Sequence, residues 1–371
     1  MDVLAFVRLA LLALIVALLP LSWLWLRQRG ANTRVRLAAL TALTLFLTFD
    51  LVVFGSFTRL SDSGLGCPDW PGCYGEASPL GAADEIQAAQ TAMPSGPVTW
   101  SKAWIEMVHR YLAMTVGVLI VVMTAASWVE RRRLPFSPWW PTATLLWVVV
   151  QGLFGKYTVT LKLYPLVVTL HLLGGLALLA LLAVQHEAFR QRPLPAAPGL
   201  RRLAWLATAA LVLQVALGGW VSTNYAVLAC SGFPACNGSA WPAMDFGHGF
   251  TLLRELGRAG HGGYLPFEAL VAIHMAHRLF AVVATLLLAL LAWRLWRAPA
   301  LPRFGAVLAL LLLAQLASGL SNVVLGWPLF AALAHSVGAG ALVLLLTLLL
   351  ARTAPRAAAA LAPVPGDVAA A

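Results

Sequence analysis

Nine runs of about 20 apolar residues fix the class of structure this chain can adopt. They lie near residues 5–26, 36–57, 103–128, 139–158, 166–187, 203–222, 269–293, 304–325 and 329–351. Hydrocarbon offers the backbone no hydrogen-bond partner, so only helices or a closed barrel can span it. The runs are rich in Leu, Ala and Val and lack the two-residue alternation of a barrel strand. They predict an all-α polytopic membrane protein. Composition agrees: 61% of the 371 residues are hydrophobic and 11% are charged, too few to solvate a globule of this size.

The formal net charge of +11 invites comparison with nucleic-acid-binding chains, but its distribution argues otherwise. Arg27, Arg29, Arg34 and Arg36 separate segments one and two. Arg131, Arg132 and Arg133 follow segment three. Arg190, Arg192, Arg201 and Arg202 join segments five and six; Arg294, Arg297 and Arg303 join seven and eight; Arg352 and Arg356 follow nine. In a nine-pass serpentine every cluster falls on one side. This is the positive-inside pattern, which assigns those connections and the carboxyl terminus to the cytoplasm. No nucleic-acid partner is expected, and lipid surrounds the chain. The first run has no small-residue cleavage site before Arg27, so it is read as a retained helix rather than a signal peptide.

All four cysteines fall in the two long outer connections, near residues 58–102 and 223–268. Cys67 and Cys73 form one pair, Cys230 and Cys236 the other. Outside the membrane disulfides persist, so two disulfides are expected. Zinc shared by all four requires the two connections to meet. Covalent haem c is excluded because no C-x-x-C-H occurs.

The second half repeats the first. Gly55 precedes Cys67 by twelve residues, as Gly218 precedes Cys230. Gln151 precedes His171 by twenty, as Gln315 precedes His335, and the offset between halves stays at 163–168. Segments two to five therefore recur as six to nine, with segment one added. A repeat of four spans keeps its orientation, which predicts two four-helix bundles related by a pseudo-twofold axis along the membrane normal. The corresponding division is 1–35 (extra helix and connection), 36–190 (first half), 191–352 (second half) and 353–371 (a disordered cytoplasmic tail).

Four histidines occupy matching positions in this repeat: His109 and His171, then His277 and His335. Ionisable side chains inside a membrane are costly and mark function. At 1.5 Å per residue all four lie roughly 9–16 Å below the outer surface. Within each half they sit on the second and fourth segments, which are diagonal partners in an up-down bundle. Two imidazoles per half, with no thiolate or carboxylate cluster, match bis-axial haem ligation better than zinc or copper. Arg110 and Arg278 follow a ligand directly and are candidates for neutralising haem propionates. Glu106, one helical turn before His109, is replaced by His274 in the second half. A carboxylate beside one pair only suggests one reactive site and one holding site, with Glu106 stabilising positive charge or relaying protons. His274 is not assigned as a ligand. His186 is placed at the cytoplasmic interface, and His248 and His261 in solvent. Gln151 and Gln315 are expected to bond between helices. Gly55, Gly155, Gly218, Gly219 and Gly319 are expected to allow close approach of a helix or a flat cofactor.

The motif Gly55-x-x-Thr58-Arg59-Leu60-x-x-Ser63-Gly64-Leu65, the Glu106-x-x-His109-Arg110 helix, His171, His277-Arg278 and His335 together resemble the haem A synthase family, over about residues 36–351. The resemblance implies a bacterial inner-membrane enzyme that oxidises a methyl group of haem O to the formyl group of haem A for cytochrome oxidase. It implies substrate haem O on His109 and His171 with Glu106 essential beside it, and haem b on His277 and His335. Contact with a haem O synthase that delivers the insoluble substrate follows from the same analogy; the electron donor is not identified by it. The family has eight helices, so segment one is an addition. The rival readings are a dihaem b-type electron carrier, which has no need of Glu106, and a transporter, which would carry paired helix breaks.

Overall fold

The computed structural model describes residues 3–190, 193–260 and 262–354; His261 and the tail from residue 355 lie outside it. Among these residues the chain is helical, without a β-strand. The helices are α1 (Val3–Arg27), α2 (Thr33–Leu60), α3 (Ala83–Ala92), α4 (Trp100–Val129), α5 (Trp139–Thr160), α6 (Pro165–Arg190), α7 (Pro198–Thr223), α8 (Phe246–Gly249), α9 (Phe267–Arg297), α10 (Pro302–Val324) and α11 (Leu329–Arg352). Eight of them are long and apolar enough to cross a membrane. The sequence predicts nine. The remaining run is α5, whose 22 residues span about 33 Å but include Trp139, Trp140, Pro141, Gln151 and Lys156, which lower its hydropathy. It nonetheless runs from one end of the molecule to the other. Thr142 near its start accepts from the Trp128 indole at the close of α4, and Lys156 near its finish lies over the Trp70 ring of the first long connection.

Local signals set the helix ends. Asn32 Oδ1 caps α2 through the Val35 N–H (3.0 Å), and Thr99 caps α4 through Lys102 N–H. Proline opens α6, α7 and α10, where its missing N–H has no helical partner to lose. Buried Thr41, Thr44 and Thr48 on α2 return their hydroxyls to the carbonyls four residues back, which satisfies them without a second helix.

α2, α4, α5 and α6 pack as a ring in which α2 and α5 each touch both α4 and α6; α7, α9, α10 and α11 pack likewise. The two groups meet through α6 with α7, α11 with α2, and α6 with α11. The apolar interior of the second group continues into this seam through Leu176, Leu179, Leu342 and Leu346. α1 packs outside the first group, on α4 and α2. Leu19, Leu310 and Leu313 are exposed on the outer face, as lipid contact demands.

The two ends differ in chemistry. At one end Glu187 accepts both Nε (2.8 Å) and Nη2 (3.2 Å) of Arg352, and Arg34 donates to the Phe189 carbonyl. Exposed Trp23, Trp25 and Trp293 lie there under Arg27, Arg29 and Arg297. The other end carries the two long connections, which touch where Tyr225 O–H donates to Asp62 (2.6 Å); beside them Arg59 in the last turn of α2 donates to the Ser222 carbonyl in the last turn of α7 (2.5 Å).

Candidate functional site

His109 on α4 and His171 on α6 face each other across the first ring of helices, within electrostatic reach of one another; His277 on α9 and His335 on α11 do the same in the second. The diagonal placement expected from the sequence holds for both pairs. Each imidazole rests by its Cε1 edge on a glycine of a flanking helix. A Cβ on Gly55 (α2) would lie 2.9 Å from Cε1 of His109, and one on Gly218 (α7) 2.9 Å from that of His277. On Gly319 (α10) it would lie 3.0 Å from His335 Cε1, and on Gly155 (α5) 3.5 Å from His171 Cε1. Four of the five singled-out glycines are thus ring seats. Gly219 differs: it faces Leu172 and Thr169 of α6 and belongs to the seam. Phe54 stacks parallel to His109 with ring centres 6.4 Å apart.

These residues fit a planar metal-bearing group. All four histidines are half-buried within the enclosing helices. Nδ1 of both His109 and His171 is buried without a hydrogen-bond partner. Among the described residues no set of three or more His, Cys, Asp or Glu could hold a bare ion, so the chemistry on offer is ligand pairs. An apolar groove of about 410 Å³ between α2, α10 and α11, lined by Phe46, Phe49, Leu311 and Leu344, borders none of the four histidines.

Above the first pair, Glu106 is buried and both its oxygens are engaged. Oε2 accepts from the Cys67 backbone N–H (2.8 Å) and Oε1 from Arg110 (2.5 Å). Arg110 also donates to the carbonyls of Pro71 and Gly72. The pair therefore clamps a small loop that Cys67–Cys73 closes (Sγ–Sγ 2.06 Å). Asp69 holds that loop from within by accepting the Tyr74 and Gly75 N–H groups at 2.7 Å. Burial, followed by the charges of Asp69 and Glu85, raises the Tyr74 hydroxyl above its usual range. The second half repeats the device without the carboxylate. Cys230–Cys236 closes the loop, and Arg278 donates to the carbonyls of Cys230, Gly232 and Ala235. His274 spends Nδ1 on the Ala226 carbonyl (2.9 Å). Each cysteine pair closes within its own loop, which answers the zinc alternative.

Arg254 is 3% exposed, stacks on Trp220 and donates to Asn224 (2.5 Å). It fastens the second long connection, and burial lowers its pKa. His186 is half-buried at the end of α6. His248, expected in solvent, keeps 38% of its side chain exposed and lies with Nδ1 2.5 Å from Asp245. Sequence reasoning missed Gln214 and Ser318, which contact the ring nitrogens of His277 and His335. The repeat carried the signal: their counterparts are Leu51 and Phe154, so polarity at these positions is confined to one half.

Comparison with known proteins decides the family. Residues 38–349 match the family described as cytochrome oxidase assembly protein. A haem A synthase of Shewanella oneidensis is 38% identical over 317 residues, covering 84% of this chain and 95% of that protein. The chain belongs to this family. A haem A synthase of Mesorhizobium japonicum is 27% identical over 335 residues, 83% of this chain and 88% of that protein. One from Symbiobacterium thermophilum is 33% identical over 251 residues, 62% and 69% of the two chains. The family match opens within α2 and closes within α11, so both histidine pairs, both disulfide loops and Glu106 lie inside it, while α1 lies before it.

Proposed function

We propose that this chain is a haem A synthase, oxidising a methyl group of haem O to the formyl group of haem A. The observation that carries the reading is the duplicated histidine pair, each ring seated on glycine, inside a family whose relatives bear that name. His109 and His171 would hold the substrate haem O; His277 and His335 would hold a resident haem b. Haem, when bound, supplies one-electron and oxygen chemistry.

The chain's own contribution is position and charge. Glu106, oriented by Cys67 N–H and Arg110, keeps a carboxylate at the first pair to stabilise positive charge developing at the substrate methyl. The second pair has no such group, because His274 is committed to Ala226, and this favours a holding role there. Arg278 puts a guanidinium at the loop side of the second pair, where its charge would offset haem propionates; Arg110 stands at the same place in the first half with its charge already met by Glu106. The tethered disulfide loops would shield the pairs from water above.

The equivalent helix contacts in residues 36–190 and 191–352 support two four-helix units related by a twofold axis along the membrane normal, with α5 a ninth crossing and α1 an addition. The arginine clusters and the tryptophans beneath them support a cytoplasmic assignment for that end. The cysteine loops are then periplasmic in a bacterial inner membrane. A haem O synthase is the natural supplier of substrate.

The test is expression in cells that make haem O but no haem A, followed by extraction and chromatography of the haems. Haem A, or its hydroxylated precursor, made only when the chain is present supports the reading. Bound haem b with haem O unchanged overturns it in favour of a dihaem electron carrier.

A further inference from the structure

The two histidine pairs differ in what stands behind the ligands. In the second half every ring has a polar neighbour. His335 Nδ1 lies 3.2 Å from the Gln315 carbonyl and 3.2 Å from Ser318 Oγ. A carbonyl can only accept, so the proton sits on Nδ1 and the lone pair on Nε2. The Gln315 side-chain amide agrees, because its N–H donates to that Nε2 at 3.3 Å. Ser318 is itself held, donating to the Gln315 carbonyl at 3.1 Å. On the other ring, the Gln214 amide N–H lies 3.1 Å from Nδ1 and 3.4 Å from Nε2 of His277 and donates to the His277 carbonyl at 3.2 Å; being a donor, it steadies the backbone of that ring and does not take an Nδ1 proton. In the first half these supports are absent. Leu51 stands at the repeat position of Gln214 and Phe154 at that of Ser318. Gln151 packs against Gly174 just as Gln315 packs against Gly338, but among the described residues Nδ1 of His109 and of His171 has no hydrogen-bond partner.

We infer that this difference sorts the two sites by residence time: Ser318, with the Gln315 carbonyl, is a positioning residue that fixes the His335 ring and retains haem in the second half, and the absence of that support lets haem leave the first. The physical reason is general. A ligating imidazole whose other nitrogen is hydrogen-bonded is fixed in tautomer and orientation, and removing that partner costs 10- to 100-fold in metal affinity. A site that holds a cofactor gains from such support. A site that must admit one haem and release another on each turnover gains from its absence, since tight product binding slows release. The inference rests on the ligand assignment proposed above.

The test follows haem leaving the purified full-length protein. Protein isolated with its haems is mixed with excess apomyoglobin as scavenger, and the haems left on the chain are separated by type over time. The wild type is expected to lose haem O or haem A faster than haem b. Ser318→Ala is expected to speed haem b loss about 10-fold and leave the first-half haem unaffected. Ser318→Thr, which keeps the hydroxyl, is expected to restore slow loss, which a merely structural role does not explain. Phe154→Ser, read in the other half, is expected to slow release of haem O or haem A. Unchanged haem b loss in Ser318→Ala overturns the inference, as does unchanged first-half release in Phe154→Ser. If His277→Ala and His335→Ala also leave haem b in place, the ligand assignment itself has failed, and this outcome is distinct from the other two.

Discussion

The four glycine seats give a graded prediction. A Cβ at 2.9 Å from Cε1, as on Gly55 or Gly218, is inside the range that carbon atoms occupy. Carbon–carbon contact becomes attractive near 3.5 Å, so the ring must retreat by about 0.6 Å. Metal–ligand distances are held to about ±0.2 Å, so this retreat is enough to spoil ligation. Gly55→Ala and Gly218→Ala should then cost about 1–3 kcal/mol, the usual range for overpacking. At about 1.4 kcal/mol per tenfold, haem retention weakens roughly 5- to 140-fold. Gly319→Ala, at 3.0 Å, belongs with them, whereas Gly155→Ala, at 3.5 Å, meets His171 at ordinary contact distance and should change retention less than about twofold. The assay is haem content per chain after detergent purification, with the two haems separated by chromatography and helicity checked by circular dichroism. Equal retention in Gly55→Ala and Gly155→Ala would refute the idea that these rings are seated on bare backbone.

Glu106→Gln keeps an acceptor for Cys67 N–H while removing the charge, so it should retain both haems and lose conversion of haem O, read by haem chromatography. Arg110→Ala strands the Glu106 carboxylate in a buried site and should cost about 3–5 kcal/mol, seen as a lower unfolding temperature. Replacing Cys67 and Cys73 together by serine opens a short loop worth about 2 kcal/mol by chain entropy, seen as faster limited proteolysis between residues 61 and 99. Asp245 has its pKa held below its ordinary value of 3.8, chiefly by the His248 backbone N–H and then by its ring. A depressed carboxylate contributes stability that is full above its unfolded pKa and lost as pH falls through the folded one. The α8 turn should therefore hold down to about pH 4 and loosen below it. Fluorescence of Trp220, which donates to the Gly249 carbonyl, reports the change, and Asp245→Asn should abolish that acid transition.

The helices were legible because lipid admits so few solutions: long apolar runs have no alternative fold, and α5 was found as one such run although its tryptophans and Gln151 dilute the signal. The histidine pairs were legible because a repeat turns four separate residues into two equivalent sites. The glycine seats were half visible; the sequence marked Gly55, Gly155, Gly218 and Gly319 as sites of close approach, but which atom approaches is a matter of helix rotation. Glu106 was read as facing the haem edge, and the bonds that occupy its two oxygens could not be seen, because they depend on how a 40-residue connection folds back over α4. Arg110 and Arg278 engage loop carbonyls for the same reason. The pairing of His248 with Asp245, three residues earlier, was not visible because it forms in a one-turn helix that has no periodicity to reveal it.

The central claim is that the four histidines act as two separate ligand pairs, and site-resolved haem analysis of the single alanine variants tests it most directly. The account predicts that His277→Ala and His335→Ala each lose haem b while haem O still binds the first half. It predicts the reverse for His109→Ala and His171→Ala, which keep haem b and fail to hold or convert haem O. Loss of both haems in equal measure from all four well-folded variants, or haem loss that pairs a first-half histidine with a second-half one, would contradict it.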